Sequence, residues 1–249
     1  MVDGNLEEFT RRASDILSTV ALTGRIKRLD FLNIKEQSAL ESMVAKLVDV
    51  SVIFDGGFET AQRRRAVIFP IFMAVESIDV LVSIFKIEVI GTGDVTHSQV
   101  LGSLMALKID RSVIGDIAIN TNDAYFVSCS EFDEFLKGHF TKVGSQEIYL
   151  ELVKERVVHK PQFEDVEIIA SSMRLDVVVK ALINASRGKA SEYLNAGFVR
   201  LNHVVDKKPS RMCNVGDILS IRKHGRFKIS EIKKITKSGK FVVVVSKNV

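Results

Sequence analysis

The stretch Asn184-Ala-Ser-Arg-Gly-Lys-Ala190 sets an arginine and a lysine where a helix is expected to begin. Ser186 has the side chain of an N-cap. Ala190, Tyr193 and Leu194 follow at helical spacing before Gly197 stops the run. A helix start carries about half a positive charge, so acidic side chains belong in its first turn. Arg187 and Lys189 stand there instead. The chemistry such a turn offers is anion binding. Free N–H groups, the dipole and both cations attract one phosphate together, and Arg187 can fork onto two of its oxygens. The competing reading is a pair of solvated cations on an exposed turn.

Other cations are expected to converge on this point: Arg174 at a neighbouring helix start, Arg200 on a strand, and Lys207 and Lys208 beside Pro209. For these, phosphate contact and a solvated surface are equal alternatives. Arg222, Lys223, Arg226, Lys228, Lys233 and Lys234 add non-specific attraction. A second basic run, Arg63-Arg64-Arg65, reads either as a solvated face or as a second contact. Catalytic patterns are missing. The five histidines are scattered, with no H-x-x-x-H, cysteine pair or carboxylate set at metal spacing, so no metal or cofactor is expected. Gly91-Thr-Gly93 lacks the third glycine and the following helix of a nucleotide loop. Neither a nucleophile elbow nor a Walker loop is present.

The elements that must position these residues follow from pattern. Ile16, Leu17, Val20 and Leu22 suggest a first helix. Ile34, Ala39, Leu40, Met43, Val44 and Leu47 form the apolar face of a second, and one strand ends at Gly56-Gly57. Pro70 reads as a boundary, giving an α-rich domain over 1–70. Residues 71–160 alternate as strand, helix, strand, strand, helix, strand, with Thr96 and Ser130 as caps and Thr121-Asn-Asp123 as a hairpin turn. That order is the one used by ferredoxin-like, RNA-recognition-type domains, although the aromatic stacking motif of such domains is absent. The stretch 158–167 reads as a linker or irregular strand. An α-then-β unit follows over 171–249, opened by Ser172 as a cap, with Leu175, Val178, Val179 and Leu182 as a helical stripe. The fold class is therefore α+β and multidomain.

Charge divides along the same lines. Residues 171–249 hold 17 Lys and Arg against 5 Asp and Glu, a net of +12, whereas the remainder has 18 against 26, a net of −8. A basic tail of this kind favours a polyanionic partner, with a solvated basic surface as the alternative. The acidic first part suits a protein partner in a scaffold reading. No apolar run approaches the ~20 residues of a membrane span. The polar N-terminus has no signal-peptide core, and Cys129 and Cys213 lie far apart. The expected location is the cytoplasm, with both thiols reduced.

The stretch 173–222 resembles the S-four, or alpha-L, RNA-binding domain. The matching positions are Arg174-Leu175-Asp176, Ser186-Arg187, Ala190, Gly197, Val199, Asn202, Pro209-Ser210 and Val215-Gly216-Asp217-Ile218. His203 departs from the pattern, where the domain usually has glycine. Phe54 to Pro70 and Thr96 to Ile117 are similar to stretches of the bacterial YlmH family. That resemblance implies binding of structured ribosomal and transfer RNA on the large ribosomal subunit, in quality control of stalled translation, with a cell-division link in some members. On it the RNA-binding set is Arg174, Ser186, Arg187, Lys189, Arg200, Asn202, Lys207 and Lys208, with Arg63, Arg64 and Arg65 as a second contact. Arg174-Leu175-Asp176 also resembles the catalytic segment of pseudouridine synthases, whose relatives often carry this domain. Only 73 residues follow Asp176, too few for that catalytic domain, so Asp176 reads as a first-turn helix residue and the chain as non-enzymatic.

Overall fold

The computed structural model describes residues 3–120, 123–153 and 163–248. The chain divides into two compact units, Met1–Lys160 and Pro161–Val249.

The first unit opens with helix α1 (Asp3–Thr23), strand β1 (Lys27–Leu32), helix α2 (Ile34–Val44), and strands β2 (Val50–Asp55) and β3 (Arg64–Pro70). The three strands form an antiparallel sheet in the order β1-β3-β2, so this α-rich start contains a sheet as well as the one expected strand. β3 is central, and its residues from Arg65 to Pro70 are all buried. Ala66 and Ile68 pack under the helices with Phe9, Leu17, Val20 and Leu40, while Val67 and Phe69 meet Ile78 and Val80 on the other face. A strand covered on both faces reads as a continuous apolar run, which is why Ala66-Val-Ile-Phe69 carries no alternation signal. Asn33 caps α2 reciprocally with Glu36.

Strand β4 (Val82–Val89), helix α3 (His97–Ala106), strands β5 (Ile114–Ile119) and β6 (Ala124–Cys129), helix α4 (Asp133–His139), and strands β7 (Lys142–Val143) and β8 (Gln146–Val153) follow in the expected alternation. Their sheet runs β5-β6-β4-β8-β7 and is antiparallel throughout. Val100, Leu104 and Leu136 from the helices are buried with Phe85, Phe126 and Phe140, the first two rings stacked 5.3 Å apart. Thr96 caps α3 as expected. Ser130 does not cap α4. A 3-10 turn over Ser130–Phe132 precedes that helix, and Ser130 lies 2.8 Å from the Ser83 hydroxyl. Part of the Thr121-Asn-Asp123 turn lies outside the described residues.

The stretches 1–70 and 71–160 share buried side chains. Phe31, Phe58 and Ala61 belong to the same apolar cluster as β4 and β6. Gly57 explains part of this closeness: its φ is +76°, and a methyl group there would fall 2.9 Å from Val127 Cγ1.

The second unit begins with strand β9 (Phe163–Ala170), then helices α5 (Leu175–Leu182) and α6 (Arg187–Asn195). Strands β10 (Val199–Leu201), β11 (Val204–Val205), β12 (Ile218–Ile221), β13 (Gly225–Ile235) and β14 (Phe241–Asn248) complete it. Of the stretch expected as a linker or irregular strand, residues 158–162 lie outside the described residues, and the rest belongs to β9. That strand pairs with β14 from Phe163↔Asn248 to Ala170↔Phe241. The six-stranded sheet runs β11-β10-β12-β13-β14-β9. Leu175, Val178, Val179, Ala190 and Leu194 pack on it against Val199, Leu219, Ile221, Ile229 and Val243. Asn202 (φ 48°) and His203 (φ 67°) form the two-residue β10–β11 turn, so the hairpin keeps its geometry without glycine.

Candidate nucleic-acid interface

The starts of α5 and α6 meet over one carboxylate. Asp176, the second residue of α5, is only 2% exposed. Its Oδ1 and Oδ2 accept hydrogen bonds from Arg174 Nε (3.0 Å) and Nη2 (3.2 Å). Oδ2 also accepts from Arg187 Nε (3.2 Å) and Nη2 (3.0 Å). Burial pushes the Asp176 carboxyl up, but the hydrogen bonds from Arg174 and Arg187 outweigh it and hold the group below the ordinary carboxylate range. One buried anion therefore fixes two guanidiniums, and the trio keeps one net positive charge. The arginine side chains remain 38% and 65% exposed.

This arrangement answers the puzzle of the cationic helix start. Arg187 at the first position of α6 is unfavourable by a few tenths of a kcal/mol against the helix dipole alone. Asp176 offsets it from the neighbouring helix, and sits itself in the first turn of α5 where a carboxylate is favoured. Arg187 is thus neither a free cation nor a silenced one. It is oriented from behind, with guanidinium N–H groups left over on its exposed side. Ser186 caps α6 as expected, accepting from Lys189 N at 3.2 Å. Lys189 Nζ lies 2.9 Å from Glu192 Oε2, both well exposed, and such an i,i+3 surface pair is weak enough to exchange for a phosphate. Gly188 is exposed, and a methyl group there would meet the Ser186 Oγ at 3.8 Å, an ordinary contact.

Ser172 does not cap α5. The cap position is Arg174, and the N–H groups of Leu175 and Asp176 donate to the carbonyls of Arg211 (2.7 Å) and Pro209 (3.2 Å). The amino end of α5 is therefore occupied by its own chain, and the N–H groups of Leu175 and Asp176 are already used there. The same two bonds carry the segment 209–211 against the arginine pair, with Lys208 at its edge. Arg211 is exposed there and held by Asp206 at 2.9 Å. Sequence reading missed it, although it directly follows the matched Pro209-Ser210. It also missed Asp176 as the anchor, because nothing in the spacing shows that α5 and α6 touch at that atom.

The remaining expected residues separate. Arg200 projects exposed from the middle of β10. A methyl group at Gly197 would lie 3.6 Å from Lys207 Cε, which places Lys207 near the far end of α6, on the order of 13 Å along the helix from Arg187. Asn202 uses its amide within the chain, donating to Asp217 Oδ1 (2.8 Å) and accepting from Ile218 N (2.9 Å). Its role is to fix the turn.

The Arg63-Arg64-Arg65 run belongs to the first unit and fits neither reading made of it. Arg65 is 4% exposed, bonded to both oxygens of Glu131 (2.7 and 2.6 Å) and to the carbonyls of Leu29 and Leu81. Arg63 donates to the carbonyls of Phe31 and Ile114. Arg64 alone is exposed, with its Nε on the Ala61 carbonyl. As a second contact the run is corrected: two of its three guanidiniums hold β3 to neighbouring segments. Both thiols are buried, and burial pushes Cys129 and Cys213 up to about 12, so they are inert. No helix among the described residues is long and apolar enough to cross a membrane.

Comparison with known proteins places this geometry. Residues 79–156 match the family described as a putative RNA-binding domain in YlmH, and residues 173–219 match the S4 domain, which contains both arginines and Asp176. The chain is 31% identical over 223 residues to the ribosome-associated protein quality control protein P2 of Bacillus subtilis (strain 168), covering 88% of this chain and 86% of that protein. A solved structure, the cell division protein ylmH from Streptococcus pneumoniae, superposes with a TM-score of 0.51 at 21% identity. It covers 59% of this chain and 90% of its own, a likeness of fold. With its S4 domain, its YlmH-type domain and a relative of that identity along most of its length, the chain belongs to the YlmH family.

Proposed function

We propose that this chain is a non-catalytic, cytoplasmic RNA-binding protein that seats on the large ribosomal subunit and acts there in quality control of stalled translation. The observation that carries the reading is the Asp176-held arginine pair inside the S4 match. A guanidinium fixed from behind loses less conformational freedom on gripping a phosphate than a free side chain does. Structured ribosomal or transfer RNA is the fitting ligand, because two oriented forks read the spacing of a folded phosphate backbone rather than a base sequence. Arg174, Arg187 and Lys189 make the primary contact, with Lys208 and Arg211 at its edge and Arg200 and Lys207 extending it. The name of the Bacillus subtilis relative supports the ribosomal setting.

The middle sheet supports a division of labour. Lys86 on its open face lies 2.5 Å from Glu88 and 3.2 Å from Asp123, so its charge is already met. In this reading the second unit grips RNA and the first supplies the surface that decides where the protein sits. Co-sedimentation of the full chain with separated ribosomal subunits tests it. Enrichment with large subunits that falls away in Arg174→Gln/Arg187→Gln is expected; equal recovery with both subunits, or with neither, removes the ribosomal assignment.

A further inference from the structure

A groove of about 760 Å³ opens in the second unit at the carboxyl end of α5, the end away from the arginine pair. Its sheet side comes from β9 and β13: Val166 is exposed there, while Ile168 and Phe227 belong to the buried core beneath. Three lysines line it: Lys180 from α5, and Lys240 and Lys247 from β14 and the turn before it. Among the described residues no carboxylate pairs with any of the three. The one acid in the lining, Glu167, is already held by Lys233 at 2.6 Å. The sheet side of the groove lies outside residues 173–219, so the S4 domain as matched does not contain it.

We infer that this groove binds an unpaired nucleotide of a single-stranded RNA segment, a second RNA site distinct from the arginine pair. The volume falls within the ~300–1,000 Å³ of small-ligand sites and accommodates an unstacked nucleotide. An apolar surface beside lysines is the pattern of a single-strand site, where bases stack and cations follow the backbone. The end of α5 sets the orientation. A helix carboxyl end carries partial negative charge, which repels a phosphate and attracts the exocyclic amino group of a base. The base therefore faces Leu182 to Ala185, and Lys240 and Lys247, at opposite ends of β14, meet the backbone on either side of it. An acidic peptide would satisfy the lysines but not the exposed Val166 between them.

The inference rests on the RNA-binding reading, and two RNAs separate their failures. Fluorescence anisotropy of the full chain, against a short oligouridylate and against a structured hairpin at several KCl concentrations, is the measurement. Lys180→Gln/Lys240→Gln/Lys247→Gln is expected to weaken oligouridylate binding about tenfold. It should flatten that salt slope by about 0.7 for each phosphate no longer neutralised, with hairpin affinity changed less than about twofold. Arg187→Gln should show its larger effect on the hairpin. These lysines make no ion pair among the described residues, so thermal melting of the triple variant should match the wild type. Photocrosslinking of a thiouridine oligonucleotide to the peptides holding Ile168 or Phe227 gives a second readout that needs no variant. Wild-type affinity and slope in the triple variant overturn the inference. So does hairpin binding by the wild type without oligouridylate binding, or a polyglutamate peptide that binds the groove more tightly than the oligonucleotide. Binding of neither RNA removes the RNA-binding reading and the inference together.

Discussion

Two sites that each pair arginine with a carboxylate have opposite fates in the molecule. In the second unit Arg174 and Arg187 share a buried carboxylate and stay exposed on their outer sides. In the first unit Arg65 is enclosed while its acid, Glu131, is 47% exposed. Which partner is buried decides what the pair does. A buried acid under exposed guanidiniums orients cations toward solvent. A buried guanidinium under a half-exposed acid is a fastening between β3 and the 3-10 turn before α4. Basic residues in a row therefore say little until the element beneath them is known.

The largest effect is expected from Arg65→Ala. It removes a bidentate pair and the Arg65 hydrogen bonds to the Leu29 and Leu81 carbonyls, of which the second keeps the Ser130 N–H at 2.9 Å. The cost is about 2–4 kcal/mol in urea unfolding of the first unit, lower than for a fully enclosed pair because Glu131 can rehydrate. RNA affinity should stay at the wild-type value. The two inert thiols sharpen the test, since one lies in each unit: Cys129 should become reactive to a thiol reagent well before Cys213 in this variant.

Asp176→Asn should cost less stability, about 1–3 kcal/mol, because both arginines can turn to water. It should still weaken hairpin RNA binding about three- to tenfold although the unit gains positive charge. An increase in affinity would show that Asp176 only competes with the phosphate. Acid titration compares the two clusters directly. The Arg65 hydrogen bond holds Glu131 below the usual range, and the arginine bonds outweigh burial to do the same for Asp176. Both contributions are present above the unfolded pKa, about 4.3 for Glu and 3.9 for Asp, and are lost as pH falls through the depressed folded values. Stability near neutrality should be flat, with an acid limb that shrinks in the first unit for Arg65→Ala and in the second for Asp176→Asn. The smallest effect is His203→Gly: relief of a positive φ in a non-glycine residue stabilises by about 0.5–1 kcal/mol at most, less the added freedom of the unfolded chain.

Much of the fold was legible where the signal is local. The alternation of strands and helices from β4 to β8, the Thr96 and Ser186 caps, and the Leu175-Val178-Val179 stripe all follow from neighbours within a few residues. What failed depends on distant partners. β9 read as no more than a linker or irregular strand because β14, which pairs with it, begins some seventy residues later. β3 looked like a boundary because burial on both faces erased its alternation. Ser130 and Ser172 looked like caps, but a 3-10 turn and the 209–211 segment had taken those positions. For the site, the matched spacing found Arg174 and Arg187, while their common anchor and the nearby Arg211 appear only when α5, α6 and the segment after β11 are folded together.

The salt dependence of hairpin RNA affinity in Arg187→Gln, with its melting temperature measured alongside, tests the oriented arginine pair most directly. The account predicts weaker binding and a log–log slope shallower by about 0.9, the value for one duplex phosphate left without its cation, in a protein that still melts cooperatively. An unchanged slope and affinity in a folded variant would contradict it.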